Sequence, residues 1–138
     1  MRVILFEMPS GPCALKLEAV GRVLAPAEPI PPGHAHVDLA GLLGEIGRPG
    51  GHHLLLSGLG VALQVGRPAG TAQVDPSWIL PLPGYMFRVR ETPFRGIIQF
   101  PEQGLAGALA PLAGSRALLL DEEKLTGQSG YRQEATRS

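Results

Sequence analysis

Glycine and proline punctuate this chain at intervals too short to leave the uninterrupted run that a long helix needs. The nineteen glycines and fourteen prolines are close to a quarter of the 138 residues. A content this high borders on that of disordered chains. Yet these residues do not gather into a low-complexity tract; they fall between short apolar runs, as turn residues do. Hydrophobic residues reach 44% and charged residues only 17%, with no net charge, so the chain should collapse around a core. The expected product is one domain, or two very small intertwined subdomains, of many short elements joined by tight turns.

The charge balance excludes one class of partner. Twelve basic and twelve acidic residues leave no electrostatic footprint for nucleic acid, which needs a basic patch. No apolar run approaches the roughly 18 residues of a membrane-spanning helix. Val3-Ile4-Leu5-Phe6 is too short for the core of a signal peptide, and no small-residue cleavage pattern follows it. The single cysteine, Cys13, has no partner for an intramolecular disulfide. A soluble, cytoplasmic protein without membrane insertion is expected.

Local patterning predicts strands throughout. Val3 to Met8 and Cys13 to Leu17 flank Pro9-Ser10-Gly11-Pro12 as a hairpin. Over Glu18 to Leu24 the spacing fits either a helical turn or a bent strand. Ala25 to Gly33 holds four prolines and is an extended connection. Asp38 to Gly44 predicts a short helix, with Asp38 accepting the free amides at its start and Gly44 ending it. A loop follows at Pro49-Gly50-Gly51. His53 to Leu56 and Val61 to Val65, across Ser57-Gly58-Leu59-Gly60, form the clearest hairpin. Thr71 to Val74 is a strand, Asp75 to Trp78 a turn, and Ile79 to Gly84 a linker. Phe87 to Arg90 and Phe94 to Phe100 read as strands. Leu105 to Leu109 and Ala117 to Leu120 flank Pro111 to Ser115 in a further hairpin pattern. Asp121 to Leu125 starts a short helix with acidic residues where the helix dipole favours them. Thr126 to Ser138 is polar and without apolar periodicity, the pattern of a disordered tail.

Candidates for chemistry are sparse. His34, His36 and Asp38 alternate, so a strand would turn all three to one side as metal ligands, with His52 or His53 as a fourth. Against this, the segment follows a proline-rich connection and Asp38 serves better as a helix cap. Cys13 lies among apolar residues, where cysteine acts as a small hydrophobe. No serine stands in a G-x-S-x-G elbow. Gly58-Leu59-Gly60 joins strand to strand, whereas a phosphate cradle needs a helix after its glycines. The residues therefore favour binding over catalysis, with no cofactor.

Taken in order, several segments resemble the CheW-like domain of bacterial chemosensory arrays, present in CheW adaptors and in the regulatory domain of the CheA histidine kinase. Val3-Ile4-Leu5-Phe6 is similar to its first strand. The stretch from Cys13 to Leu24 resembles its ALPLEAVREVL-type segment, and Val37 to Gly44 its VDLRxLLG. The hairpin from His53 to Val65, with Val74 beyond, resembles the strands around its G-x-x-VD-x-V stretch. Phe94-Arg95-Gly96-Ile97-Ile98 is similar to its late xxRGV strand, and Ala117 to Leu125 to its closing LLLDxEKL. The resemblance spans residues 1–125.

It also departs from the family. Where members carry a strand pair around an NLRG motif, this chain has only Pro31 to His36. The family's arginine there takes part in array contacts and has no counterpart here. The VD-x-V stretch reads Val65-Gly66-Arg67-Pro68, and Arg22 replaces a frequent glutamate.

The resemblance implies an all-β fold with short helices, built as two SH3-like β-barrels of five strands that share a core, one of them short of strands. It implies a non-catalytic adaptor that binds the regulatory domain of a CheA-type histidine kinase, and a chemoreceptor's cytoplasmic tip if coupling survives without the arginine motif. Chemotaxis or surface motility would be the setting. Carried over, the protein-binding candidates are Leu17, Val20 and Val23, with Arg22 beside them. In the first strand, one of the pairs Val3/Leu5 and Ile4/Phe6 should pack inside and the other meet a partner. The alternatives are a small β-barrel interaction module unrelated to chemotaxis, or a metal-dependent hydrolase using His34, His36 and Asp38.

Overall fold

A computed structural model describes residues 1–42, 51–81 and 93–125. Among these residues ten strands carry the fold: β1 (Arg2–Met8), β2 (Gly11–Lys16), β3 (Val20–Leu24), β4 (Ala35–Asp38), β5 (His52–Leu56), β6 (Val61–Val65), β7 (Pro68–Gln73), β8 (Ile79–Leu80), β9 (Phe94–Gln99) and β10 (Arg116–Leu120). They form a six-stranded sheet in the order β7-β1-β2-β10-β9-β8 and a four-stranded sheet in the order β3-β5-β6-β4. The helices are short: α1 (Leu39–Leu42) and one turn at 122–125. The all-β reading with short helices holds, but the strands of the described residues divide six and four rather than five and five.

The continuous apolar run of β1 has a physical reason. The strand lies inside its sheet and both of its faces are covered. Ile4, Phe6 and Met8 join Cys13, Leu15, Leu54, Leu56, Leu63 and Val65 in the core between the two sheets. Val3 and Leu5 join Ala14, Ile98, Phe100, Ala117 and Leu119 in a second core on the other side of the six-stranded sheet. This corrects the expectation for β1: neither alternating pair is left for a partner. A bulge in β9 links the two cores. The register slips between Leu119 and Leu120, so Phe94 faces the inter-sheet core while Ile98 faces the other.

The expected hairpins are present. β1 pairs antiparallel with β2, and β5 with β6 through a turn in which Gly58 and Gly60 both take positive φ. The ambiguous stretch at Glu18 resolves into both alternatives, a 3-10 turn at Leu17–Ala19 followed by β3. Asp38 caps α1 as expected, its Oδ1 accepting from the Ala40 amide at 3.1 Å. Asp121 does the same for Glu123 at 3.0 Å.

Three expectations need correction. Pro31 to Asp38 contains a strand, β4, which lies parallel to β6. Ile79–Leu80 is no linker but pairs with β9. Leu105 to Leu109 does not pair with β10; Gly107–Leu112 forms a 3-10 segment with Pro111 inside it, and β10 instead lies antiparallel to β9 and parallel to β2. The expected features at Gly44, Pro49-Gly50, Leu82 to Gly84, Phe87 to Arg90 and the tail from Thr126 to Ser138 lie outside the described residues.

The two sheets meet where the chain passes from β6 to β7. There Gly66 crosses β1 so closely that a Cβ would lie 1.7 Å from the Glu7 carbonyl oxygen. The Glu7 amide donates to the Arg67 carbonyl at 2.9 Å, and the Gly66 amide lies 3.2 Å from the Met8 sulfur.

Candidate protein-binding surface

The four residues singled out from the sequence all lie on the 3-10 turn and on β3, at the edge of the four-stranded sheet. On one side β3 is hydrogen-bonded to β5; among the described residues its other side borders no strand. Such an edge offers backbone donors and acceptors to another chain.

The bulge around Gly21 divides the four residues. The β3–β5 register slips between Val20 and Arg22, and a Cβ at Gly21 would come within 3.1 Å of the Ser57 hydroxyl. Val20 is aligned with Leu56, which faces the inter-sheet core, whereas Arg22 is aligned with Leu55 on the outer face. Leu17 and Val20 are half-buried against the inter-sheet core. Val23, aligned with core-facing Leu54, is nonetheless 38% exposed and is one of two exposed large hydrophobic residues among those described. Leu17, Val20 and Val23 thus lie on one side of the strand and Arg22 on the other.

Arg22 also holds the connection that follows. Its Nη2 donates to Glu28 Oε2 at 2.9 Å, and Glu28 Oε1 accepts from the Ala25 amide at 3.0 Å. Ile30, within the same connection, packs on Leu24, Leu55 and Ala62. The proline-rich segment therefore covers part of the outer face of the sheet. Leu17 additionally lines a surface groove of about 510 Å³ with Met1, Arg2, Lys16 and Glu18.

The histidine-rich segment disperses. His34 precedes β4, and its Nδ1 lies 3.2 Å from the Pro31 carbonyl oxygen. Asp38 is occupied with its cap. Only His36 meets another ligand-type side chain: its Nε2 is 3.3 Å from that of His53. No group of three or more histidine, cysteine, aspartate or glutamate side chains suited to a metal gathers among the described residues. The hydrolase triad of His34, His36 and Asp38 is therefore not assembled. Burial, reinforced by the neighbouring rings of His36 and His52, holds the His53 imidazole below the ordinary histidine range. Cys13 is fully buried in the inter-sheet core. Its surroundings are those of a packing residue rather than of an activated thiolate.

The sequence offered His53 beside His36 only as one member of a larger ligand set with His34 and Asp38; that these two alone would meet was not legible, since β6 lies between their strands.

No family model matches the sequence, and no curated protein matches it. The fold does match a solved structure. The scaffolding protein TtCheW from Thermoanaerobacter tengcongensis superposes with a TM-score of 0.63 over 87% of this chain and 88% of that one, at 14% sequence identity. Two sheets with short helices, in a chain whose ordered segments resemble the same domain, are thereby placed among known architectures: this chain has a CheW-like fold.

Proposed function

We propose that this protein is a non-catalytic chemosensory adaptor that binds the regulatory domain of a CheA-type histidine kinase. The observation that carries the reading is the likeness of fold, over 87% of this chain, to a scaffolding protein. It is supported by an exposed edge strand bearing Val23 and Arg22, a surface suited to strand addition or to apolar docking with a polar rim. The described residues are consistent with it. Their one cysteine is buried, Asp38 and Asp121 cap helical turns, and Glu28 and Glu7 pair with Arg22 and Arg67. No described helix is long and apolar enough to cross a membrane.

The short passage from Pro31 to His36 favours a member that engages the kinase without ordinary receptor coupling. That stretch leads into a single four-residue strand, β4, and carries no NLRG-type motif.

The test is a calorimetric titration of the protein with the regulatory domain of a CheA-type kinase from its own organism, followed by one with a receptor's cytoplasmic tip. Saturable one-to-one binding to the kinase domain is expected. Absence of any heat or complex with every such domain would overturn the reading, in favour of an interaction module outside chemotaxis.

A further inference from the structure

The outer face of the four-stranded sheet carries a second feature, independent of the adaptor reading. Register places His36 beside Ala62 on β6, and Ala62 beside Leu55 on β5. His53 lies two residues before Leu55, on the same face. His53 itself is aligned with Gln64, so the two imidazoles approach each other on a diagonal across β6. Their ring centroids are 5.3 Å apart with planes tilted by 57°, and the two Nε2 atoms are 3.3 Å apart.

That separation has a specific chemical meaning. Two nitrogens bound at 2.0–2.1 Å to one tetrahedral ion lie about 3.3 to 3.4 Å from each other. The pair therefore already has the spacing of two ligands on one metal. Neutral imidazoles suit zinc, copper and nickel among divalent cations. We propose that His36 and His53 form a two-imidazole site for such a cation, with the remaining coordination positions left to water or to a donor from another molecule. The site is exposed at His36 and half-buried at His53, so an ion has a path in.

The proton balance is simple. In the metal-free neutral pair, one ring donates its Nε2 proton to the Nε2 lone pair of the other. Ligation needs both lone pairs, so that proton moves to Nδ1 of its own ring and none is released. The Nδ1 atom of His53 is buried without a hydrogen-bond partner. This makes the His53 Nε2–H tautomer the favoured one without metal, and it denies the site the outer hydrogen bond that tightens most histidine ligands. The site should therefore bind exchangeably rather than retain its ion through purification.

Isothermal titration of the untagged chain with Zn²⁺ at pH 7.5 tests this. One equivalent per chain is expected. Losing an outer-sphere partner alone costs ten- to a hundredfold in metal affinity, so His36→Ala and His53→Ala should each weaken binding by at least about tenfold. His34→Ala should bind as the native chain does. Circular dichroism establishes that each variant is folded. As a second readout, the imidazole NMR signals of His36 and His53 in the native chain should shift together on adding Zn²⁺. No binding by the native chain, equal loss in His34→Ala, or undiminished binding by folded His36→Ala would each overturn the proposal.

Discussion

The crossing of Gly66 over β1 yields the sharpest prediction for stability. A methyl group added there would sit 1.7 Å from the Glu7 carbonyl oxygen and 2.9 Å from its carbon, where real Cβ atoms essentially never come within 3.0 Å of such atoms. The obstacle is backbone in the interior of a sheet, so it cannot rotate aside as a side chain would. Either β1 or the β6–β7 turn must move by more than an ångström. Overpacking of this kind typically costs about 1–3 kcal/mol and occasionally more. Losing the bond from the Glu7 amide to the Arg67 carbonyl adds about 1 kcal/mol. Gly66→Ala should therefore destabilise the fold by about 2–4 kcal/mol, a large part of the usual total of about 5–15 kcal/mol. For a chain of this size that lowers the thermal midpoint by about 6–15 °C. Gly104→Ala separates steric from conformational effects. Gly104 has a φ of +84° and open space around its Cβ position, so it should lose only about 1–2 kcal/mol for a left-handed backbone. Thermal unfolding followed by circular dichroism compares the two. If Gly66→Ala melts within about 3 °C of the native chain, or no lower than Gly104→Ala, the steric reasoning is wrong.

Three further outcomes are expected. Arg22→Glu removes an exposed pair with Glu28, which is worth at most about 1 kcal/mol; calorimetry should show weaker kinase-domain binding while chemical denaturation shows a nearly unchanged midpoint. Val20→Asp places a charge against the inter-sheet core and should cost about 2 kcal/mol or more of stability, whereas Val23→Asp, at an exposed position, should leave the unfolding curve nearly intact and act on binding alone. Asp75 accepts from the Ser77 amide at 2.9 Å, which holds its carboxyl below the usual carboxylate range; the stability this gives is present above the unfolded carboxyl value of about 4 and is lost as pH falls through the lower folded value. Asp75→Asn, which keeps an acceptor but cannot titrate, should flatten that part of an acid-unfolding curve.

What could be read from the sequence was local. The β1–β2 and β5–β6 hairpins declared themselves because turn residues separate apolar runs of strand length. The caps of Asp38 and Asp121 declared themselves because a carboxylate before a short apolar run has one obvious use. β4 was hidden because Ala35–Asp38 is four residues long, follows several prolines and alternates with polar side chains. Its strand conformation is supplied by β6. The segment from Leu105 to Leu109 misled in the opposite direction. Its leucines do pack, Leu109 buried and Leu105 and Leu112 beside it, but Gly107 takes a positive φ and Pro111 can donate no ladder hydrogen bond. The binding candidates were found as residues but not as a surface. Nothing in the spacing from Leu17 to Val23 announces a bulge at Gly21 that sends Arg22 to the opposite face.

The place of β10 bears on how the chain reaches its fold. The six-stranded sheet is not assembled in the order of synthesis. Its early hairpin is joined to β9 only through β10, which sets Leu118 beside Cys13 in a parallel pair. Until the region around residue 120 has left the ribosome, the open edge of β2 has no neighbour, and Cys13 and Leu15 are covered incompletely. Closing so long a loop is slow compared with forming a hairpin. A nascent chain halted before β10 should therefore carry an unprotected apolar strand edge, and it is at that stage, rather than in the finished protein, that a chaperone has most to hold.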